Sequence, residues 1–282
     1  MFSELLSDGR VKCTLCPIKC KIPQNKTGKC HIRQNVDGKI HLNNYGMTVQ
    51  TSLDTLYNRP IYLLGEDRTS LSIGLTGCNN TCPFCQNWLV SQAKDFSGSV
   101  YLSPEDVIEY AKENEVEFIS FTYTEPIVWI EYVLEIAKLA RENNIKICIK
   151  TAGYISEEHF DIFTDSIDAI NLDIKPLSKD YLIKCGIYDQ EIIWKLAKNI
   201  VEKGIHLEIS HIVITGVNDN EEKMQLFLEG MFSLGREIPI HLLKHYPAWK
   251  SDYSTTPDVT MVFWRDYLIS KSHKNIFAKE VG

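Results

Sequence analysis

An α/β architecture with a parallel sheet is predicted for this 282-residue chain. The first observation is that strand-like and helix-like segments alternate six times from residue 70 onward. Parallel strands need such crossovers. The second is composition: 44% hydrophobic and 24% charged residues, ordinary for a globular protein. The third is that seven of nine cysteines fall in two groups, Cys13, Cys16, Cys20 and Cys30, then Cys78, Cys82 and Cys85.

The mean hydropathy of -0.16 excludes a polytopic membrane protein. No uncharged apolar run approaches the ~20 residues that span a bilayer. The start MFSELLSDGR has no charged segment followed by a long apolar core, so a cytoplasmic location is expected. The net charge of -7 argues against general nucleic-acid binding. Neither a membrane nor a nucleic acid is an expected partner.

The first 35 residues carry seven Lys/Arg against Glu4 and Asp8, so a small basic module precedes an acidic body. Residues 36–68 read as short strands and turns, with Asp37-Gly38 as a turn signal. Ser70–Thr76 is the first strand of the alternation. Pro104–Glu113 is a helix capped by Ser103 with Pro at its first position. Glu117–Tyr123 is the second strand, and Pro126–Asn143 a long helix with Ile127, Ile130, Leu134 and Ala137 on one side. Ile145–Lys150 is the third strand, and Ser156 is expected to cap a short helix. Ala169–Ile174 is the fourth strand. Lys179–Lys203 is helical, with Ile193, Leu196, Ala197 and Ile200 at core spacing. His206–Ile214, Glu221–Leu234 and Ile238–Leu243 supply the fifth strand, a helix and the sixth strand.

An open doubly wound sheet and a curved partial barrel both satisfy this pattern. In either, ligands bind at the carboxyl ends of the strands. Cys78, Glu125, Thr151, Asp173 with Lys175, Asn218, and His241 with Lys244 are therefore expected to converge.

In a cytoplasmic chain, clustered cysteines more often hold metal or do redox chemistry than form disulfides. Cys78, Cys82 and Cys85 are spaced C-x3-C-x2-C directly after the first strand. Three thiolates on one loop can hold three corners of an iron–sulfur cube, which normally has four Cys ligands. With no fourth Cys nearby, one iron stays open to a substrate. A structural zinc would want a fourth Cys or His, and none lies within twenty residues. The front group, C-x2-C-x3-C-x9-C, offers four thiolates. Structural zinc usually takes two separated pairs. Three close ligands and one remote favour an iron–sulfur site, with zinc as the alternative. A basic docking patch for an acidic partner is a further use of this module.

The string from Gly74 to Trp88, GLTGCNNTCPFCQNW, resembles the radical S-adenosylmethionine superfamily. It is similar to the branch containing pyruvate formate-lyase activating enzymes, and most similar to the AmmeMemoRadiSam-system radical enzymes. The likeness runs from Cys13 to about Pro257. It takes in CTLCPIKC and GKCHIR at the front, YTEP at Tyr123–Pro126, NLDIKP at Asn171–Pro176, ITGVND at Ile214–Asp219 and HLLKHYP at His241–Pro247.

The resemblance implies a partial (β/α)6 barrel with a small N-terminal Cys-rich module, divided here as residues 1–68 and 69–282. It implies a 4Fe-4S cluster whose open iron takes the methionine amino and carboxylate groups of S-adenosylmethionine. Reductive cleavage of the C5′–S bond then gives a 5′-deoxyadenosyl radical that abstracts hydrogen from substrate. A flavodoxin- or ferredoxin-type electron donor is implied as a partner. Glu125 matches the family carboxylate against the methionine ammonium, with Thr124 beside it and Thr151 after the third strand. The alternative for Glu125 is a helix-end residue favoured by the helix dipole. Asp173 and Lys175 share one face by strand alternation and match a family Asp-x-Lys pair, for a ribose hydroxyl and the cofactor carboxylate. The alternative is an internal ion pair. His241 matches a family His near the ribose, and Ile214 and Val217 are placed with Phe84 against adenine. Cys185 precedes Gly186 where family members also carry Cys-Gly, and is a candidate thiol participant; a buried small hydrophobe is the alternative. Cys148 reads as core. A second 4Fe-4S cluster or zinc is expected at the front cysteines.

The activating-enzyme likeness favours a protein or peptide substrate. A small-molecule substrate and a non-catalytic Fe-S or zinc scaffold are the competing readings. The chain ends at Lys279-Glu-Val-Gly282, shorter than many relatives, so a different cover over the substrate is expected.

Overall fold

The computed structural model describes residues 2–278, and the ending Lys279–Gly282 lies outside them. Three short antiparallel strands open the chain: β1 (Ser3–Leu5), β2 (Val11–Cys13) and β3 (Lys21–Ile22). The hairpin of β4 (Arg33–Val36) and β5 (Lys39–Leu42) turns at Asp37-Gly38. A long strand follows, β6 (Met47–Thr55). It pairs antiparallel with β7 (Thr69–Leu75) from Thr48 opposite Leu75 to Thr55 opposite Thr69. The division drawn at residues 68 and 69 falls between these paired strands, and the sheet runs across it.

Helix α1 (Trp88–Ser91) and the edge strand β8 (Val100–Tyr101) come next. The repeating part comprises α2 (Pro104–Glu113), β9 (Phe118–Phe121), α3 (Ile130–Glu142), β10 (Lys146–Thr151), α4 (Phe160–Thr164), β11 (Ala169–Ile174), α5 (Lys179–Lys184), α6 (Glu191–Glu202), β12 (His206–Val213), α7 (Glu221–Leu234) and β13 (Ile240–Lys244). It ends with α8 (Asp258–Ser270) and β14 (Ile276–Ala278).

The nine strands of the main sheet lie in the order β14-β13-β12-β11-β10-β9-β7-β6-β8. From β7 to β14 each parallel strand adds to the same side as the last. A doubly wound sheet would reverse direction midway. With right-handed crossovers, addition in one direction puts every connecting helix on one face and curls the sheet around the other. The topology is thus the partial barrel, and six parallel strands from β7 to β13 form it.

The helices that the apolar spacing predicts are found, with three local differences. The long helix starting at Pro126 begins as a 3-10 turn, Pro126–Trp129, before α3. The segment Lys179–Lys203 divides into α5 and α6 because Gly186 adopts φ +81, which ends a helix. Ser156 precedes the short helical turn, but its hydroxyl makes no cap bond. Ser103 does cap α2: its Oγ accepts from Asp106 N–H at 3.1 Å, and Asp106 returns the bond at 2.8 Å. Such a box contributes about 1 kcal/mol.

The barrel floor is closed by residues 56–64. Leu56 and Ile61 are buried there with Phe118, Cys148 and Ala169. The buried Glu208 carboxylate holds this segment by accepting the N–H groups of Tyr62 and Leu63, each at 2.8 Å. Cys148 is accordingly a floor residue. The front lobe is pinned to the barrel by Arg33, nearly fully buried. Its guanidinium donates to both oxygens of Glu131 on α3, at 2.8 and 2.7 Å. This forked geometry suits arginine. Among the described residues no helix is long and apolar enough to cross a membrane.

Candidate active site

The cysteine loop leaves β7 through Gly77, at φ +96. A Cβ there would lie 2.8 Å from Ile32 Cγ2 and 3.0 Å from the Cys30 carbonyl oxygen. Both the conformation and the space require glycine. The loop is then tied down at several points. Asn79 Nδ2 donates to the Tyr154 carbonyl at 2.9 Å. Thr81 donates its N–H to the Cys185 carbonyl and its hydroxyl to the Lys184 carbonyl, each at 2.8 Å. Lys250 N–H donates to the Pro83 carbonyl at 2.9 Å. A rigid loop presents Cys78, Cys82 and Cys85 to one cavity of about 410 Å³.

The carboxyl ends of the strands supply the rest of that cavity. Glu125 follows β9, and its carboxylate is almost fully buried. Its Oε1 accepts the Thr151 hydroxyl at 2.5 Å and Ile127 N–H at 3.2 Å, and its Oε2 accepts Ala152 N–H at 2.9 Å. Burial raises its pKa, and the bonds from Thr151, Ala152 and Ile127 act against that rise. Glu125 therefore caps the turn at Pro126 and lines the cavity as well. Asp173 and Lys175 meet at the end of β11, with Nζ donating to Oδ2 at 2.8 Å. Burial opposes the charge on Lys175. The Asp173 carboxylate and the Cys82 sulfur more than offset it, so its pKa is raised. Asp173 titrates lower than usual: burial acts upward, and Lys175 and Lys150 outweigh it. Phe84 forms a wall beside them, with the Lys175 ammonium 5.9 Å from its ring centre.

Thr124 and Thr151 also line the cavity. The Thr124 hydroxyl is already engaged, donating to the Leu75 carbonyl at 2.5 Å and accepting from Trp129 Nε1 at 3.3 Å. Five expected residues are placed elsewhere. His241 is the second residue of β13, well before the strand's carboxyl end. Its Nε2 meets Glu208 Oε2 at 2.6 Å, and its ring packs on Tyr62 and Phe277. Ile214 and Val217 belong to the buried core around the turn after β12, and Ile212 and Leu243 form the apolar wall instead. Asn218 latches that turn, accepting Ile214 N–H at 2.8 Å and facing His211 Nε2 at 2.9 Å. Cys185 is fully buried behind the cysteine loop, with its sulfur against Cys82 and outside the cavity lining.

Three site residues were not anticipated. Lys150, on β10, lines the cavity and donates to Asn171 Oδ1 at 2.5 Å and to Ser210 Oγ at 3.3 Å. Burial pushes its pKa down to about 8. Strand alternation with Asp173 and the β10–β11 pairing was the signal that could have found it. Asn80 lies inside the cysteine motif and lines the same cavity. Tyr246, just past β13, stands half exposed at its rim.

Donor chemistry and orphaned polar atoms test what this cavity accepts. Both atoms of the Asn80 carboxamide and Oδ1 of Asp173 are buried without a hydrogen-bond partner. Buried polar atoms are normally satisfied, so these call for a polar ligand. Three thiols, two carboxylates and three ammonium groups, those of Lys150, Lys175 and Lys244, around about 410 Å³ fit a three-cysteine cluster and a zwitterionic cofactor. The four front cysteines line a separate small cavity of about 20 Å³ with Arg33 and Asn79. Among the described residues, no three His, Cys, Asp or Glu side chains are gathered to the spacing of a bound ion's ligands.

The sequence profile of the Radical SAM superfamily matches residues 72–228. That span is more than half the chain and includes all three loop cysteines and the cavity residues from Glu125 to Lys175. The chain belongs to the radical SAM superfamily, and it is an enzyme. Membership implies a 4Fe-4S cluster and S-adenosylmethionine. The whole chain is 31% identical to 84% of a Methanocaldococcus jannaschii protein named only as the uncharacterized protein MJ0808. It is 24% identical over 62% of its length to 75% of the pyruvate formate-lyase-activating enzyme of Staphylococcus epidermidis. Among solved structures, a radical SAM methyltransferase from Sphaerobacter thermophilus superposes with a TM-score of 0.55 at 16% identity, covering 76% of this chain and 66% of that one. Streptococcus suis SuiB does so at 0.56 and 16%, covering 74% and 48%. At these identities the two structures establish the fold.

Proposed function

We propose that this enzyme cleaves S-adenosylmethionine reductively at a cluster held by Cys78, Cys82 and Cys85, and takes hydrogen from a protein or peptide. The observation that carries the reading is the convergence of those sulfurs with Glu125, Asp173 and Lys175 on one cavity. When bound, the cluster supplies one electron to the sulfonium, breaking the C5′–S bond. The chain's own residues orient the cofactor. Glu125 offers its buried carboxylate to the methionine ammonium, since a buried cation needs an anion. Lys175 offers its ammonium to the carboxylate, and Asp173 its unpartnered Oδ1 to a ribose hydroxyl. Phe84, Ile212 and Leu243 keep water from the apolar side.

The cavity volume supports a macromolecular substrate. About 410 Å³ is the size of a single cofactor-sized ligand. Once it is filled, the substrate has to present its hydrogen at the rim, as an extended loop does. Two similar proteins bear names of the same kind: the pyruvate formate-lyase-activating enzyme and the trans-4-hydroxy-L-proline dehydratase activating enzyme.

The front cysteines we assign to a single tetrahedral ion, with zinc as the metal. The room left among the four thiols is small, about 20 Å³, and this favours a single ion over a cube. Four thiolates without an open position suit structural zinc. The basic surface of the lobe offsets the negative charge of such a site.

The deciding experiment is anaerobic reconstitution with iron and sulfide, followed by dithionite and S-adenosylmethionine. Formation of 5′-deoxyadenosine and methionine is expected, rising when the protein substrate is added. Absence of 5′-deoxyadenosine from protein with a full cluster would overturn the reading.

A further inference from the structure

Each sulfur of the cysteine loop has a hydrogen-bonding neighbour of its own. At Cys78 it is a backbone group, Asn80 N–H, 3.3 Å from Sγ. At Cys85 it is a hydroxyl: Ser91 Oγ, on the last residue of α1, lies 3.4 Å from Sγ. At Cys82 it is a thiol, since the Cys185 sulfur rests against that of Cys82. Neither Ser91 nor Cys185 takes part in the proposed cofactor contacts.

The surroundings fix the direction of these bonds. Gln92 Nε2 donates to the Asn80 carbonyl at 3.0 Å and to Ser91 Oγ at 3.3 Å. The Ser91 oxygen therefore already accepts, and its own proton is left for Cys85. A cysteine that ligates iron does so as a thiolate, which carries no proton and can only accept. Ser91 O–H and Cys185 S–H are then the donors. Both residues are held by backbone bonds. Ser91 N–H donates to the Asn87 carbonyl at 2.8 Å, and Gly77 N–H to the Val90 carbonyl at 3.3 Å, which ties α1 to the base of the loop. Cys185 donates its N–H to the Tyr181 carbonyl at 3.0 Å and accepts Thr81 N–H at 2.8 Å. Both side chains are buried, so these bonds act at low dielectric.

We propose that Ser91 and Cys185 are positioning residues that set the reduction potential of the cluster, by donating hydrogen bonds to two of its three cysteine sulfurs. The inference rests on the assignment of a 4Fe-4S cluster to Cys78, Cys82 and Cys85. Reduction adds one electron and no proton, and part of the added charge falls on the sulfurs. Donors aimed at those sulfurs stabilise the reduced form more than the oxidised form, and so raise the potential. A hydroxyl is a better donor than a thiol, so Ser91 contributes more than Cys185.

The test is a potentiometric titration of the reconstituted full chain with dithionite, without S-adenosylmethionine, followed by the electron paramagnetic resonance signal of the reduced cluster. Wild type is compared with Ser91→Ala, Cys185→Ala and the double variant at equal iron content. At a fixed potential the reduced-to-oxidised ratio is expected to fall about threefold to tenfold in Ser91→Ala, tenfold being about 59 mV for a one-electron couple. Cys185→Ala shifts it less in the same direction, and the double variant shifts it most. Ser91→Thr keeps the hydroxyl and restores the wild-type potential. Cys185→Ser carries a better donor and lies at or above it. Wild-type potentials in both alanine variants overturn the proposal. So does a loss in Ser91→Thr and Cys185→Ser equal to that in the alanine variants, which makes the two residues packing only. If an alanine variant holds no cluster, its conservative partner decides: a potential below wild type there overturns the proposal. Wild-type protein that takes up no iron at the loop brings down the cluster assignment and this inference with it. A full cluster that yields no 5′-deoxyadenosine brings down the proposed reaction alone, because the potentials are read without the cofactor.

Discussion

The two cysteine sites carry similar ligands and differ in nearly everything else. The front group has four thiols around about 20 Å³, with Leu15, Ile22 and Val128 among the walls. The loop group has three thiols on about 410 Å³, with two carboxylates, three lysines and an open rim. The two sites are neighbours: Gly77, at the base of the loop, packs against Ile32 and the Cys30 carbonyl of the front lobe. A fourth ligand and a closed wall make a metal structural. A missing ligand and charged neighbours leave room for chemistry. The contrast therefore lies in what surrounds the sulfurs more than in how many there are.

The sharpest way to break this contrast is Cys82→Ala. On the proposed reading each loop cysteine supplies one iron ligand and the front group holds zinc, so cluster and 5′-deoxyadenosine formation should both be lost while zinc stays at about one per chain. Cleavage that persisted in this variant would remove the loop from the mechanism. The converse experiment replaces Cys13 and Cys16 with Ala. Elemental analysis should show zinc gone and iron still near four per chain, together with a lower melting temperature, because ligand assembly stabilises small lobes. Wild-type iron near eight per chain and no zinc would instead show two cubes, and the small-cavity argument would fail.

A smaller effect is expected from Glu125→Ala. The cluster should form normally, and S-adenosylmethionine affinity should fall by roughly 2–5 kcal/mol, the loss when a buried charge keeps no partner. Equal affinities by calorimetry would make Glu125 a helix-end residue and nothing more. The least effect concerns the barrel floor, remote from both sites. Glu208 is fully buried, and burial by itself would raise its pKa. His206, His241 and the Leu63 and Tyr62 amides bring it down to about 2. Its ordinary value is near 4.5, so its contribution is whole above that pH and is lost as pH falls toward 2. On the order of 2–3 kcal/mol should vanish across that window. Acid unfolding curves of wild type and Glu208→Gln should diverge above pH 4.5 and converge below it; parallel curves would contradict the assignment.

Much of this was legible from residues alone. All six parallel strands came from apolar runs between polar turns, and α2 and α7 matched to the residue because Ser103 and Asn220 cap them. The cavity residues followed from strand ends, since Cys78, Glu125, Thr151 and Lys175 each sit where a strand stops. His241 failed for the same reason that the others succeeded. It lies near the start of its strand, and alternation cannot tell one end of a barrel from the other. Lys150 was missed because a lysine in an apolar strand reads as a solvent-facing residue. Only the pairing of β10 with β11 turns it toward Asp173. The helix α8 and strand β14 were also missed: Val259 and Phe263 are exposed on a helix whose apolar residues keep no clean stripe.

The pairing of β6 with β7 bears on how the protein can be cut. Every residue of β7 after Thr69 is buried. A chain begun at residue 69 would leave that strand's whole N–H and C=O row bare along an apolar ribbon. Bare edges of that kind recruit other chains. A truncated barrel would be expected in the pellet, whatever its cysteines hold, and the shortest soluble piece would have to begin before Met47.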